Sequence, residues 1–124
     1  MDGAVNTSRS RSALILAVLF VAVVKITAYS NDYQSTGKYP SDPAYGITAS
    51  GTRARAGTCA SKTLPFGTEV EIMGLGTYTV EDRGGGLEKD QIDVWFPRHK
   101  DAKNFGVQYR EVKIIKRGTY GKTI

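Results

Sequence analysis

Two aspartates, Asp82 and Asp93, are the residues of this 124-residue sequence whose surroundings best suit acid–base chemistry. Asp82 comes directly before Arg83 and three consecutive glycines, a run that marks a backbone that turns sharply or that a ligand approaches closely. Asp93 lies among apolar neighbours in the stretch Gln-Ile-Asp-Val-Trp-Phe, so desolvation should raise the pKa of its carboxyl, as a general acid near neutral pH requires. If the flanking strands pair across the glycine loop, repulsion between the two carboxylates would raise one of their pKa values further.

The spacing of these residues also allows a purely structural interpretation. Asp82 would then cap the turn formed by residues 84–86, and Asp93 would pair with Arg83 or Lys89. The sequence pattern alone does not decide between the structural and the catalytic interpretation.

The composition excludes several other kinds of site. With one cysteine, Cys59, and one histidine, His99, the chain has no intramolecular disulfide, no CxxC-type zinc or redox site and no His-rich metal centre. A Ser-His-Asp triad would have to use His99, whose Arg-His-Lys-Asp surroundings indicate solvated surface. The net charge of +5 suits an anionic polymer as partner. The sequence lacks the basic stripe interleaved with aromatic residues that is typical of nucleic acid binding, so nucleic acid is not favoured as that polymer.

Short strands joined by glycine turns are predicted to position the two aspartates in an all-β domain. The length allows one modest core, and 14 glycines favour a turn-rich, strand-rich fold. Closure into a small barrel is expected, because it removes edge strands that so small a sheet does not protect. One short helix is predicted at residues 97–106, and the predicted strands are residues 25–30, 46–52, 57–61, 69–73, 77–82, 91–96 and 111–116.

Residues 1–24 are interpreted as an export segment that precedes the fold. A polar stretch with Arg9 and Arg11 leads into the unbroken apolar run of residues 13–24, the pattern of a signal peptide. Twelve helical residues reach about 18 Å, short of a hydrocarbon core of about 30 Å, so a signal peptide is favoured over a stable anchor. Cleavage at Ala28 would remove part of the first predicted strand, so an uncleaved membrane tether through residues 13–24 is one alternative. A buried core helix is the other.

Six stretches of the sequence occur in the order and spacing of a known family. They are ITAYS (26–30), GITASGTRARAGTCA (46–60), LPFGTEVEI (64–72), VEDRGGG (80–86), QIDVWF (91–96) and AKNFGVQYREVKII (102–115). Over residues 25–116 the chain therefore resembles the 3D (Asp-Asp-Asp) domain, which leaves residues 117–124 as a tail. The resemblance extends to the catalytic barrel of membrane-bound lytic transglycosylase A and of muralytic stationary-phase survival proteins, and it implies a six-stranded double-psi β-barrel.

The resemblance implies an enzyme that cleaves peptidoglycan glycan strands. Together with the export segment it predicts a protein of the cell envelope, secreted or tethered on the outer face of the cytoplasmic membrane, and we expect a monomer. The bond cut is that between N-acetylmuramic acid and N-acetylglucosamine, and the product carries a 1,6-anhydromuramic end. The family's catalytic aspartates fall on Asp93, as the acid and then the base, and on Asp82, which stabilises positive charge or orients Asp93. No metal or cofactor is implied, and the candidate substrate contacts are Thr27, Tyr29, Thr48, Gly84, Gly85 and Trp95.

One departure from the family's pattern leaves a second class of function open. The family's first aspartate should follow Cys59 and Ala60, where this chain reads Ser61-Lys62. A barrel that binds wall polysaccharide without cutting it, as in expansin-like and rare-lipoprotein-A-like proteins, is therefore the alternative. A hydrolase that uses both carboxylates and water is a third possibility, and a role in phage lysis or in wall remodelling fits the short length.

Overall fold

The computed structural model describes residues 21–119, and within them the secondary structure is mostly β. Two of the elements are short helices. The longer one lies where the sequence pattern predicted a helix, and the other is a single turn. In chain order the elements are β1 (Val21–Tyr29), α1 (Tyr33–Thr36), β2 (Thr58–Ser61), β3 (Glu69–Ile72), β4 (Gly76–Asp82), β5 (Ile92–Trp95), α2 (His99–Phe105) and β6 (Gln108–Lys116).

The six strands form one sheet that closes on itself in the order β1-β5-β2-β4-β3-β6, with β6 pairing back to β1. The pairs β1–β5 and β2–β4 are parallel, and the other four pairs are antiparallel. Alternate residues of the strands point into the ring and form the core. The side chains with no exposed surface in this core are Ile26, Cys59, Val70, Ile72, Val80 and Val94.

The hairpin of β3 and β4 follows the predicted alternation. Val70 and Ile72 are buried, whereas Glu69 and Glu71 lie on the other face of β3 and are at least partly exposed. Val70 is opposite Tyr78 across the antiparallel pair, so one face of the hairpin contributes to the core.

The strands that carry the two aspartates do not pair with each other. β2 lies between them, parallel to β4 and antiparallel to β5. The direct pairing across the glycine loop that the sequence suggested is therefore wrong, since residues 83–91 connect two strands that are not neighbours in the ring.

The first strand begins at Val21, four residues before the predicted start at residue 25. Val21 is opposite Lys113 and Val24 is opposite Arg110 of β6. An unbroken apolar run fits a buried strand as well as the apolar part of a signal peptide, because it lacks the periodicity that would distinguish them. The β-branched valines in this run favour the strand. The remainder of the predicted export segment, residues 1–20, lies outside the described residues, so the signal peptide and the tether stay predictions.

Residues 46–52, predicted to be a strand, form a loop instead, with one isolated bridge between Ile47 and Arg53. The Thr48 amide donates to the Thr52 carbonyl at 2.7 Å, and their hydroxyl oxygens also lie 2.7 Å apart. Hydroxyl side chains that bond within a short segment offer the backbone an alternative to strand pairing. The loop is fixed against β4 by the Ser50 amide, which donates to the Glu81 carbonyl at 3.0 Å.

The start of the predicted tail packs on the ring, because the Gly118 amide donates to Thr68 Oγ1 at 2.9 Å. Between residues 21 and 119, neither helix has the length and apolar character needed to span a membrane.

Candidate active site

The two aspartates lie on opposite sides of Ala60, at the centre of the site. Ala60 of β2 is opposite Asp82 of β4 on one side and opposite Asp93 of β5 on the other. Two strand spacings place the aspartate Cα atoms roughly 10 Å apart, with both side chains on the face that Ala60 shares. These three residues line a cleft of about 530 Å³ on the outside of the ring. The alanine methyl group is small, so it leaves the space between the carboxyl groups open.

A chain of hydrogen bonds fixes the orientation of the Asp93 carboxyl. Thr27 of β1 is opposite Asp93 in the parallel pair, and its hydroxyl donates to Asp93 Oδ1 at 2.9 Å. The same hydroxyl accepts from Gln91 Nε2 at 2.8 Å, and Gln91 Oε1 accepts from the Glu88 amide at 3.1 Å. Because the hydroxyl has one proton and gives it to Oδ1, a protonated Asp93 carries its own proton on Oδ2.

The environment of Asp93 favours its neutral form. Burial raises the pKa of its carboxyl from 3.8 to about 6, the hydrogen bond from Thr27 lowers that pKa, and the charge of Asp82 raises it. The expected effect of the apolar neighbours is thereby confirmed. Near pH 6 the carboxyl is present in both protonation states, which suits a group that first donates and then accepts a proton.

Replacing Thr27 by valine is expected to raise the pKa of Asp93 above about 6. The valine has the shape of threonine but no hydroxyl, so it removes the hydrogen bond that stabilises the ionised carboxylate. Thr27→Ser keeps the donor and should restore the original value. A carbon-13 NMR titration of the Asp93 carboxyl measures both variants, and an unchanged midpoint in Thr27→Val would contradict the orienting role of Thr27.

Asp82 accepts hydrogen bonds from three donors on three different segments. The Tyr29 hydroxyl donates to Oδ2 at 2.7 Å, and the amides of Ala49 and Arg83 donate to Oδ1 at 2.9 and 3.0 Å. Tyr29 is buried, and burial together with the charge of Asp82 raises the pKa of its phenol. Both oxygens of Asp82 therefore act as acceptors, in contrast to the carboxyl of Asp93.

The structural interpretation of the aspartates is wrong in its details. Asp93 accepts from Thr27, whereas the Arg83 guanidinium donates to the Ser61 carbonyl at 3.2 Å and lies 4.0 Å above the Phe66 ring. Asp82 holds the loop at Ala49, and the glycine turn is closed by its own backbone.

The three glycines after Arg83 line the cleft for two different reasons. A Cβ atom on Gly84 would lie 2.7 Å from Cγ of Leu87, so packing requires glycine there. A Cβ atom on Gly85 or Gly86 would meet nothing within 4 Å, and neither residue has a positive φ. Neither the backbone nor the packing demands glycine at these two positions, and its effect there is to keep the wall of the cleft low.

The structure brings most of the predicted site residues together. Thr27 lies directly behind Asp93, whereas Trp95 does not line the cleft, since its indole Nε1 donates to Asn31 Oδ1 at 2.9 Å. Trp95 contacts the loop that follows β1 through this bond, and its contact with a sugar stays a prediction. The predicted residues that line the cleft are Tyr29, Thr48, Asp82, Gly84, Gly85 and Asp93.

Ser61, where the resembled family has its first aspartate, serves the local turn. Its hydroxyl oxygen accepts from the amides of Thr63 and Leu64 at 3.2 and 3.0 Å, and its side chain is buried. As the residue after Ala60 on β2, it lies on the face away from the cleft. Lys62 is exposed.

Sequence reasoning missed Gln91 and the Ala49 amide. Gln91 is two residues before Asp93, so strand periodicity would have placed it on the same face as Asp93. The Ala49 amide carries no side-chain signal. Among residues 21–119, no three His, Cys, Asp or Glu side chains are grouped so that they would hold a metal ion.

Residues 61–116 match the family model of the 3D domain. Two proteins of Bacillus subtilis (strain 168) are similar in sequence. "Cell wall-binding protein YocH" is 33% identical over 76 residues, which are 56% of this chain and 26% of that protein. "Putative cell wall shaping protein YabE" is 27% identical over 105 residues, which are 72% of this chain and 26% of that protein. The matched stretch thus spans about a quarter of either relative.

Proposed function

We propose that the cleft of this chain, whose residues 61–116 match the family model of the 3D domain, binds peptidoglycan glycan strands and cleaves them as a lytic transglycosylase. The observation that carries this proposal is Asp93, a partly buried carboxyl with a pKa of about 6 that shares an open cleft with a second carboxyl. Both relatives are named for the cell wall, which supports a cell-wall function at the cell envelope. Export through the part of the apolar segment that precedes β1, residues 13–20, is part of the proposal.

In the proposed reaction one carboxyl transfers a proton twice. The proton on Asp93 Oδ2 passes to the glycosidic oxygen, the bond from that oxygen to C1 of the muramic acid breaks, and positive charge develops at C1. The C6 hydroxyl of the same sugar then bonds to C1 and gives its proton back to Asp93, which closes the 1,6-anhydro ring. Thr27 keeps Oδ1 occupied, so the transferred proton stays on Oδ2.

Asp82 is proposed to stabilise the positive charge that develops at C1. Its oxygens are fixed by the Tyr29 hydroxyl and the Ala49 amide, so its position costs no reorganisation during the reaction. The negative charge also raises the pKa of Asp93 and keeps it protonated to a higher pH.

We also infer that the ring is a double-psi β-barrel. Two parallel pairs among antiparallel ones support this topology, because a simple up-and-down meander has only antiparallel neighbours.

A cell-wall-binding barrel without catalysis is the second candidate. Ser61 replaces the family's first aspartate and is committed to the local turn, so the cleft has only two of the three aspartates. The printed name of YocH also supports binding. A hydrolase differs from the transglycosylase only in the nucleophile, which would be water.

Mass spectrometry of the products separates the three candidates. The full-length protein is incubated with purified peptidoglycan, and the soluble fraction is analysed. Anhydro-muropeptides are expected from a transglycosylase, and reducing ends would show hydrolysis. Protein bound to intact wall with no soluble fragments would replace the enzyme by the binding barrel.

Side chains of increasing size at Gly85 are expected to weaken glycan binding without unfolding the protein. In Gly85→Ala the added Cβ atom meets no atom within 4 Å, and φ at this position is not positive, so the alanine is not strained. The free energy of unfolding of this variant should therefore stay within about 1 kcal/mol of the original. Gly85→Leu places a large side chain on the wall of the cleft and should reduce affinity for glycan strands by at least about tenfold.

Asn104→Leu, on the exposed surface of α2, is the matched control for an added apolar side chain. Binding is measured by sedimentation with purified wall and stability by urea denaturation. Equal affinity in Gly85→Leu and the control would show that the glycan does not approach this wall.

A further inference from the structure

Tyr33 and Tyr39 form a stacked pair of aromatic rings on the surface of the loop that follows β1. The ring centroids are 4.4 Å apart, and the planes differ by 17°. Tyr33 is 53% exposed and Tyr39 is 60% exposed. The core lies inside the ring of strands and does not include them. Two rings that cover each other and still expose this much area present a flat apolar surface that the fold does not bury.

The loop that carries the pair is held in place by side-chain hydrogen bonds. Lys38 Nζ donates to the carbonyl oxygens of Ala44 and Ile47 at 3.1 and 3.0 Å. Trp95 donates to Asn31 at the start of the same loop. The tyrosine pair is therefore part of an ordered surface, so binding a ligand there requires little further ordering.

The same loop forms one wall of the cleft. Tyr33 lies between cleft residues along the chain, and Tyr39 directly follows one. Neither tyrosine lines the cleft itself, so the aromatic surface belongs to the segment that forms this wall and lies outside the cleft. The cleft-lining residues of this loop next to the pair are Asn31, Ser35, Thr36 and Lys38.

We propose that Tyr33 and Tyr39 form a platform that binds a pyranose ring of the glycan strand outside the pair of sugars joined by the cleaved bond. The proposal rests on the proposed function, since it assigns a further binding site to the same polymer. A pyranose ring has a face of C–H groups that packs on a flat aromatic ring, while its hydroxyls stay at the edges in contact with water. A polymer that fills the cleft extends beyond it, and the tyrosine pair belongs to a segment that forms a wall of that cleft, which is why the extension is assigned to the pair.

Binding of long and short glycans by non-cleaving protein tests the platform. Full-length Asp93→Asn protein is titrated with peptide-free glycan strands and, separately, with the disaccharide of N-acetylglucosamine and N-acetylmuramic acid. Tyr33→Ala and Tyr39→Ala are expected to weaken binding of the strands about tenfold and to leave disaccharide binding unchanged. Tyr33→Phe keeps the ring and should bind as the parent does. Tyr109→Ala removes an equally exposed tyrosine, on β6 outside the cleft, and is the control.

Each outcome separates the platform from the proposed function. Full-strength strand binding by both alanine variants would overturn the platform and leave the cleft as the glycan site. Equal loss for strands and disaccharide would also overturn it, because the tyrosines would then only support the loop. Binding of neither glycan by the parent would overturn the proposed function together with the platform. Sedimentation velocity tests whether a second copy of the chain binds the rings instead. If the parent protein is a dimer and the alanine variants are monomers, the rings belong to a dimer interface and the platform is overturned.

Discussion

Asp93→Asn is expected to reduce the release of soluble glycan fragments by about 10²- to 10⁴-fold. Asparagine has the size of aspartate, and its Oδ1 still accepts the hydrogen bond from Thr27. The asparagine amide has no acidic proton to give to the glycosidic oxygen. It also has no basic oxygen to accept the proton of the C6 hydroxyl in the proposed reaction. The loss therefore reports the proton transfers and leaves the shape of the cleft unchanged, which binding of glycan strands by the same variant checks.

The same substitution is expected to stabilise the fold at pH 7. Burial raises the pKa of Asp93 from 3.8 to about 6, so the carboxyl ionises at pH 7 in a site that disfavours its charge. The stability contributed by the bound proton is complete below about pH 4 and is lost as the pH rises through about 6, a difference of about 2 to 3 kcal/mol. The neutral amide avoids this loss, so the two proteins should be similar at pH 4 and diverge by pH 7.

Urea denaturation at the two pH values measures this divergence, and Asp90→Asn is the control. Asp90 is exposed in the connection that leads to β5, so its substitution should change neither stability nor product release. A variant at position 93 that is less stable at pH 7 than the original would contradict the effect of burial. Undiminished product release would remove Asp93 from the mechanism.

Asp82→Asn is expected to lower the cleavage rate by about 10²- to 10³-fold and to shift its pH dependence. The rate loss follows from removing the negative charge beside C1. The shift has a defined sign: the charge of Asp82 raises the pKa of Asp93, so without it the acid ionises at lower pH and activity declines from a lower pH. The pH profile of product release measures both effects.

Tyr29→Phe separates the charge of Asp82 from its orientation. The variant removes the hydroxyl that donates to Asp82 Oδ2 and keeps the carboxylate. Its rate should fall, while the midpoint of the pH profile stays nearer the original than in Asp82→Asn. Identical midpoints in the original protein and Asp82→Asn would show that the two carboxyl groups do not interact.

The raised pKa of Asp93 and the glycine wall next to Asp82 could be predicted from the sequence because their signals are local. The apolar neighbours of Asp93 and the glycines after Asp82 are read from adjacent residues, as is the alternation of Val70 and Ile72. The position of β2 between the aspartates is not local. It follows from which strands pair around the ring, and no spacing along the chain specifies that order.

The errors at the other positions have equally physical causes. Trp95 was a candidate for stacking on a sugar, with core packing as the alternative, and the structure shows its indole nitrogen bonded to Asn31 outside the cleft lining, a contact that no local pattern predicts. The threonines at positions 48 and 52 favour strands by propensity, yet their hydroxyls bond within the loop. The orientation of Asp93 depends on Thr27, which is 66 residues away in the chain.

The closure of the ring has a consequence for when the site comes into existence. β1 carries Thr27 and Tyr29 and pairs only with β5 and β6, which the ribosome delivers last among the strands. A nascent chain that has emerged only as far as Asp82 has no partner for β1, so the groups that orient the two aspartates are not yet in place. Folding through such distant contacts is slow compared with folding through local ones. Any chemistry at this site would therefore begin only after the last strand has emerged, and the growing polypeptide would be without it.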